Sequence, residues 1–298
     1  MNWGYDDALI TADRHVFFKI MLRSVAEAHG FRVTFMPKPY LNRTGSGAHV
    51  HVSAWGGPGT PNEGKNLFHD PDGELQLSSL AYNFIAGVLG SAEGLCALTN
   101  PTVNSYKRLN ASVTRSGATW SPNTVTYTGN NRTHMIRIPD VNRFEFRLPD
   151  SAVNPYLVQA ALLATGLNGI TAHAHPGPRS DANFHEERPP PGTRSLPSNL
   201  LDALRALSGD EALRGALGNE VRGCGDVGTW CFKSAPLTAR TGVHAVCGRV
   251  CEAEDAGGVE PVCGALVFLG GRADHGRVRR GKGGVRRAPR WHTLPCTI

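Results

Sequence analysis

The chain has 298 residues, a formal net charge of +6 at pH 7 and 40% hydrophobic residues, a length that allows one large or two ordinary domains with a real core. The first residues, MNWGYDDALITADRH, lack the basic start and apolar run of a signal peptide. No stretch approaches the roughly 18 consecutive apolar residues of a membrane helix, so we expect a soluble protein that does not act at a membrane.

The charge and the cysteines are distributed unevenly along the chain. Residues 221–298 hold 12 Lys/Arg against 6 Asp/Glu, whereas residues 1–220 hold 19 of each sign. Cys96 is alone in the first part, and the other six cysteines all follow residue 220. An isolated cysteine in a large folded segment is typical of a reducing compartment. We therefore expect a cytoplasmic protein whose residues 1–220 and 221–298 differ in character.

The first predicted elements are a helix and a strand. Apolar residues recur at three- and four-residue steps through residues 9–29, namely Phe17, Ile20, Met21 and Val25. Thr11 or Asp13 fits the N-cap and Gly30 fits the end of this helix. FRVTFMPKP (31–39) predicts a short buried strand that is ended by prolines.

A second strand is predicted over GSGAHVHVSAW (45–55). Alternation along it puts His49, His51 and Ser53 on one face and the valines on the other. Neutral imidazole is a good metal ligand and also a good donor to phosphate. Taken alone, however, the pair is better explained by incidental histidines on a half-buried strand.

The later elements mix helices and strands. They are predicted, in chain order, as a buried helix (77–98), a loop (NPTVNSYKRL), two strands joined by a Pro-Asp-Val turn (134–139 and 142–149), an apolar helix that begins near Pro155 (154–170), an irregular proline-rich segment (175–197) and a capped helix (198–210).

Charged residues within these elements suggest an anionic ligand. In RFEFRLPD, alternation puts Arg143, Glu145 and Arg147 on one face. This arrangement is either a structural ladder of ion pairs or a metal ligand beside phosphate-binding arginines. Arg108 and the two arginines of NNRTHMIRIP could also bind an anion, although ordinary solvated charge explains them equally simply.

Five segments in the same chain order match a known family: TFMPKP, GSGAHVHVSAW, NPTVNSYKRL, NNRTHMIRIP and RFEFRLPDSAVNPYLVQAALLATGLNGI. With them, residues from about 3 to about 220 resemble the catalytic domain of glutamine synthetase. GNNRTHMIRIP resembles the bacterial type III branch, which also includes ligases for methylamine and similar amines. The resemblance implies an α+β fold in which helices back a curved antiparallel sheet, with the site on its concave face.

The resemblance also implies an activity and a set of site residues. ATP would phosphorylate the γ-carboxylate of glutamate, and ammonia would displace the phosphate to give glutamine, with Mg²⁺ or Mn²⁺ as cofactor. The implied roles are metal binding by His49 and Glu145, ATP binding by His51, Ser53, Arg137, Arg143 and Tyr5, amino acid binding by Gly45 and Arg108, and binding of the substrate and the transferring phosphoryl group by the catalytic Arg132 and Arg147.

Two sequence features depart from the family pattern. Asp and Glu are absent between Leu109 and Arg132, where the best-known members carry a glutamate that helps to deprotonate ammonium. Thr44 stands where those members have an asparagine that contacts the substrate. Either another group serves the amine step or that step is impaired. A γ-glutamylmethylamide synthetase, a related amine ligase and an inactive fragment therefore stay open as alternatives.

The resemblance finally bears on domain organisation and partners. Full-length members carry an N-terminal β-grasp domain and form dodecameric rings with sites between subunits, so we expect residues 1–220 to be a catalytic domain incomplete at its N-terminus. We interpret residues 221–298 as disordered or frame-shifted, with a basic nucleic-acid-binding tail as the competing interpretation. The expected partners are glutamate and ammonia or a small amine, and neither a membrane nor nucleic acid.

Overall fold

The computed structural model describes residues 2–111 and 120–218, together with the backbone of residues 266–269. Within these residues a single sheet contains β1 (Asp6–Asp7), β2 (Val50–Trp55), β3 (Tyr127–Thr128), β4 (Ile136–Arg137), β5 (Phe144–Phe146) and β6 (Leu266–Leu269). The spatial order is β1-β6-β2-β5-β4-β3. Neighbouring strands are antiparallel except for the parallel pair of β3 and β4, so the sheet is mixed rather than wholly antiparallel as predicted.

Helices supply the rest of the fold, which confirms the predicted α+β class. The described helices are α1 (Ala8–Ala28), α2 (Ser79–Gly90), α3 (Ala92–Thr99), α4 (Val103–Leu109), α5 (Pro155–Thr171), α6 (Leu200–Gly209) and α7 (Glu211–Leu217). One core joins sheet and helices. At its centre the rings of Phe68, Phe84 and Phe144 lie 5.5–5.9 Å apart, centroid to centroid, in the range where aromatic pairs attract.

Side-chain caps set several helix starts. Asp7 caps α1 by accepting from the Leu9 amide, so the helix begins before both predicted caps. Asn154 caps α5, whose first residue is Pro155, and Asn199 caps α6. Short polar side chains satisfy helix amides that have no partner inside the helix.

Two predictions for the middle of the chain were wrong in detail. Residues 77–98 form two helices, α2 and α3, which meet at a bend of 75°. The predicted loop NPTVNSYKRL contains α4, which begins with a capping box between Thr102 and Ser105. Among the described residues, no single helix is long and apolar enough to cross a membrane. The bent α2–α3 pair meets that criterion only in its combined length and composition.

The predicted buried strand at 31–39 was also wrong. Phe31 is 71% exposed, and none of these residues belongs to a described strand. Instead of pairing with a strand, the backbone N–H and C=O of Lys38 bond to the side chain of Asn104 on α4. Prolines at 37 and 39 remove two amides that a sheet ladder would need.

Helices α2 and α5 cross at very short range. A Cβ at Gly87 would lie 2.0 Å from the carbonyl oxygen of Thr165, and one at Gly169 would lie 2.1 Å from that of Asn83. Only glycine allows the two backbones to approach this closely. The crossing anchors the helical layer that supports the sheet.

The predictions for residues 221–298 lie outside the described residues, apart from the backbone of β6. That strand pairs with β2 over Val52–Trp55 and with β1.

Candidate active site

Three adjacent strands bring the charged motifs together. In the pairing of β2 with β5, His51 lies directly opposite Glu145, and in the pairing of β4 with β5, Arg137 lies opposite the same residue. Paired residues on one face of a sheet have Cβ atoms roughly 5 Å apart. The strand register therefore makes Glu145 the centre of the cluster.

Glu145 is bound on several sides. Its Oε2 accepts a hydrogen bond from Arg137 Nη1 and its Oε1 accepts one from Arg147 Nη1, both at 2.6 Å. Nδ1 of His49 lies 3.0 Å from Oε1, and Nε2 of His51 lies 3.9 Å from it. The carboxylate side chain is only 5% exposed, so these charge-assisted bonds are well shielded from water.

The ladder suggested by RFEFRLPD is thus only partly present. Glu145 pairs with Arg147 and with Arg137 of a neighbouring strand, whereas Arg143 donates to Asp140 Oδ2 at 2.7 Å. Alternation correctly placed Glu145 and Arg147 together. It could not reveal the cross-strand partner, because register depends on how the strands pair.

Burial and neighbouring charge set the protonation of this cluster. Burial lowers the pKa of His49 to about 4 and also lowers that of His51 to about 4, so both imidazoles are neutral at pH 7. Burial alone would raise the pKa of Glu145, but the hydrogen bond with His49 and the charge of Arg147 outweigh it and hold that pKa below its usual range. The site therefore contains an ionised carboxylate beside neutral imidazoles.

His49 and Glu145 together fit a divalent cation that takes its other ligands from water or phosphate. Among the described residues, no group of three or more His, Cys, Asp or Glu side chains could hold a metal ion. Mg²⁺ is usually held by one or two carboxylates with substrate phosphates, and Mn²⁺ also accepts carboxylate and imidazole. A neutral His49 and an ionised Glu145, which approach to 3.0 Å at their nearest atoms, could supply two ligands.

The cluster faces a cavity of about 890 Å³, within the size range of small-molecule and cofactor sites. The predicted residues that line it are Gly45, His49, His51, Arg108, Arg132, Arg137, Arg143, Glu145 and Arg147. The charged side chains in this lining, as far as the structure describes it, are Lys38, five arginines and one carboxylate. The excess of positive charge favours a polyanionic ligand.

Two predicted ATP-binding residues lie elsewhere. Ser53 Oγ accepts a hydrogen bond from Trp55 Nε1 at 3.0 Å, and the ring of Tyr5 stacks on that of Trp55 with centroids 6.3 Å apart. Neither Tyr5 nor Ser53 lines the cavity. Their role in nucleotide binding stays a prediction.

Arg108 is held rigidly beside two glycines. Its Nη1 donates to the carbonyl of Leu148 at 3.0 Å and its Nη2 to that of Arg147 at 3.3 Å. A Cβ on Gly45 would lie 3.1 Å from Cγ of Arg108, and one on Gly47 would lie 3.0 Å from its Nη2. The GSG turn therefore leaves room for this guanidinium at the cavity wall.

The sequence did not single out two buried groups near Arg108. Lys38 is 3% exposed, and its Nζ donates to the carbonyl of Arg43. Asp150 is fully buried and accepts from Asn100 Nδ2 at 3.0 Å. Each lies at the end of a segment already noted, TFMPKP or RFEFRLPD, but burial was the missing signal. Trp120 and Asn130, which contact the site arginines, were missed for a different reason, because those contacts form only in the fold.

Comparisons with known proteins identify the family to which this chain is similar. Residues 1–223 match the family described as glutamine synthetase, catalytic domain. The chain is 55% identical over 221 residues to a glutamine synthetase of Rhizobium leguminosarum bv. phaseoli, covering 74% of this chain and 50% of that protein. It is 43% identical over 224 residues to a glutamate–methylamine ligase of Methyloversatilis universalis, covering 73% and 49%.

A solved structure is also similar. The GmaS/ADP complex in conformation 1 superposes with a TM-score of 0.68 at 51% sequence identity, covering 87% of this chain and 54% of that one. The chain spans about half the length of the curated relatives it matches. By the extent of the match and the arrangement of the site, the chain belongs to the glutamine synthetase family and represents its catalytic domain.

Proposed function

We propose that the chain takes part in ATP-dependent ligation of ammonia to the γ-carboxylate of glutamate, giving glutamine. One observation supports this above the others: Glu145, two neutral histidines and five arginines meet at a single cavity. Phosphoryl transfer needs positioned positive charge around a phosphate that develops charge on several oxygens. The arginine-rich wall has that character.

The proposed reaction has two steps. An oxygen of the glutamate γ-carboxylate attacks the γ-phosphorus of ATP, and ADP leaves with the bridging oxygen. The amine nitrogen then attacks the acyl carbon of γ-glutamyl phosphate, orthophosphate leaves, and the nitrogen loses a proton. Splitting the amide synthesis in this way replaces a poor leaving group, oxide, by phosphate.

The chain's own residues have separate proposed tasks. Arg108, fixed by two backbone carbonyls, holds the substrate carboxylate, while Gly45 leaves room for the substrate. Arg132 and Arg147 stabilise the transferring phosphoryl group, and His51, Arg137 and Arg143 contact the nucleotide phosphates. His49 and Glu145 would hold Mg²⁺ or Mn²⁺, which supplies charge neutralisation at the phosphate oxygens when bound. Tyr5 and Ser53 are proposed to contact the nucleotide further from this centre.

The acceptor amine has two candidates. A glutamate–methylamine ligase at 43% identity and the GmaS/ADP complex at 51% identity favour methylamine as the second candidate beside ammonia. The glutamine synthetases at 53–55% identity favour ammonia. We further propose a cytoplasmic location, which suits the free, buried thiol of Cys96, and a dodecameric assembly for a full-length form.

A hydroxamate assay tests the proposed function. The chain is incubated with glutamate, ATP, Mg²⁺ and hydroxylamine, and γ-glutamyl hydroxamate is measured. We expect ATP-dependent product that is lost in Arg132→Gln and retained in Arg205→Gln, because Arg132 lines the cavity and Arg205 is an exposed residue of α6. Soluble protein that forms no hydroxamate with Mg²⁺ or Mn²⁺ would contradict the proposal for this chain. Ammonia, methylamine and ethanolamine would then be compared as acceptors.

Gly47→Ala should impair the site without unfolding the domain. The new Cβ would lie 2.9 Å from His49 Nε2 and 3.0 Å from Arg108 Nη2, so both side chains must shift. Displacing site groups by about 1 Å can cost on the order of 10²-fold in rate, and we expect kcat/KM for glutamate to fall by that amount. Gly209→Ala is the control, because a Cβ there meets nothing within 4 Å. Equal activities of the two variants would contradict the proposed positions of His49 and Arg108.

A further inference from the structure

Arg132 differs from the other cavity arginines in how it is held. Arg108, Arg137 and Arg147 are buried and bonded to carbonyls or to Glu145, whereas Arg132 is exposed. A long exposed side chain loses considerable rotamer entropy when it is fixed in one geometry. A group that must meet a transferring phosphoryl therefore needs something else to hold it.

The backbone around Arg132 is fastened to the proline-rich segment 175–197. The carbonyl of Ala182 accepts from Asn131 Nδ2 at 3.0 Å and lies 2.9 Å from His134 Nε2. Thr133, the residue after Arg132, accepts a hydrogen bond at its Oγ1 from the amide of Phe184 at 3.3 Å. The residues on both sides of Arg132 are thus fixed to one short stretch of that segment.

An aromatic contact holds the guanidinium itself. Cζ of Arg132 lies 5.9 Å from the ring centroid of Trp120, within the distance at which a cation is attracted to an aromatic face. His185, from the same proline-rich segment, meets the Trp120 ring edge-on at 5.2 Å and 89°. The ring therefore contacts both a cation and a second aromatic group.

Trp120 is also tied to the second phosphoryl arginine. Its carbonyl oxygen accepts from Arg147 Nη2 at 3.3 Å, and Arg147 Nε donates to the carbonyl of Arg132 at 3.1 Å. The backbone of Trp120, the backbone of Arg132 and the guanidinium of Arg147 thus form one connected unit. Trp120 is 42% exposed and lines the cavity.

We propose that Trp120 and His185 are positioning residues that hold the Arg132 guanidinium at the anion-binding wall of the cavity. Trp120 supplies the face against which the guanidinium rests, and His185 fixes the plane of that ring from the proline-rich segment. The role of Arg132 as a phosphoryl-binding group rests on the proposed function. The contacts that orient it are independent of which amine the site accepts.

A double-mutant cycle on orthophosphate binding tests this inference without requiring turnover. The dissociation constant of orthophosphate is measured by calorimetry for the unsubstituted chain, Trp120→Leu, Arg132→Gln and the double variant. Because a partly exposed cation–π contact is modest, Trp120→Leu should weaken binding about two- to fivefold, and it should have no further effect in the Arg132→Gln background. Trp120→Phe, which keeps an aromatic face, should restore most of the affinity.

His185 is tested against a matched histidine. His185→Gln should weaken orthophosphate binding about two- to threefold through a less constrained ring, whereas His29→Gln, at the exposed end of α1 and outside the cavity lining, should not. If Trp120→Leu does not fold, the dissociation constants of orthophosphate for Trp120→Phe, His185→Gln and the unsubstituted chain are compared instead. In an active preparation, Trp120→Leu should change kcat as well as KM for glutamate.

Several outcomes would overturn the inference. They are equal losses from Trp120→Leu in both backgrounds, a Trp120→Phe variant as weak as Trp120→Leu, or an unsubstituted chain that binds no orthophosphate. Non-additive phosphate binding in a chain that forms no hydroxamate would support the positioning role while contradicting the proposed function. Hydroxamate formation together with an additive cycle would support the proposed function while contradicting the positioning role.

Discussion

Glu145→Ala should lower the free energy of unfolding by about 3–5 kcal/mol, the cost of breaking a buried ion pair by removing one partner. The guanidiniums of Arg137 and Arg147, now each 2.6 Å from this carboxylate, would remain buried without a counter-charge. Equilibrium denaturation in urea measures the change, and the slope with denaturant shows whether the unfolded state is altered. Mn²⁺ affinity should fall in the same variant.

The control for this prediction is an ion pair whose carboxylate is half exposed. Asp140→Asn removes the negative charge from the 2.7 Å ion pair with Arg143, in which the Asp140 side chain is 50% exposed and that of Arg143 17%. Exposed pairs contribute about 0–1 kcal/mol, so this variant should be almost as stable as the unsubstituted chain. Similar losses in the two variants would show that Glu145 is not the electrostatic centre of the sheet.

Acidification should destabilise the metal-free protein between about pH 6.5 and pH 4. Burial, with a smaller contribution from Lys19, lowers the pKa of His15 to about 4, and burial lowers that of His134 as well. The unfolded chain therefore binds more protons in this window, so the free energy of unfolding falls as the pH falls. For His15 a shift of about 2.5 units corresponds to at most about 3 kcal/mol.

Urea denaturation at several pH values in the presence of a chelator measures this slope. His15→Gln should flatten part of the profile, because glutamine does not titrate, while His29→Gln should leave it unchanged. His49 and His51, whose pKa values are shifted in the same direction, would contribute to the slope that remains. A free energy of unfolding that stays constant from pH 7 to pH 4.5 would contradict the prediction.

Most of the predicted site residues line one cavity, whereas several predicted elements of the surrounding structure were wrong. Period-two alternation placed His51 and Glu145 on strands, but their direct pairing in the structure depends on a register that neither strand pattern specifies. The family resemblance, rather than the strand patterns, supplied the roles expected of these residues. The pairing of Arg137 with Glu145 depends on a long-range register, which a single strand pattern does not specify.

Other parts of the fold depended on tertiary contacts that no local pattern carries. FRVTFMPKP has the composition of a strand, but Asn104 satisfies the backbone of Lys38 and replaces a strand partner. Helix α4 was missed because its capping box has Ser105 where Glu or Gln is usual, and because a seven-residue helix gives too short a periodic signal. Trp120 could not be assigned because its partners, Arg132 and His185, are distant in sequence and meet only in the fold.

The crossing of α2 and α5 has a consequence for the tolerance of the chain to substitution. At Gly87 and Gly169 any side chain would overlap main-chain atoms of the opposite helix, and backbone cannot move aside as a flexible side chain can. Saturation libraries at these two positions should return glycine almost alone. Gly90, which lies in α2 like Gly87, should accept many residues, because a Cβ there meets nothing within 4 Å.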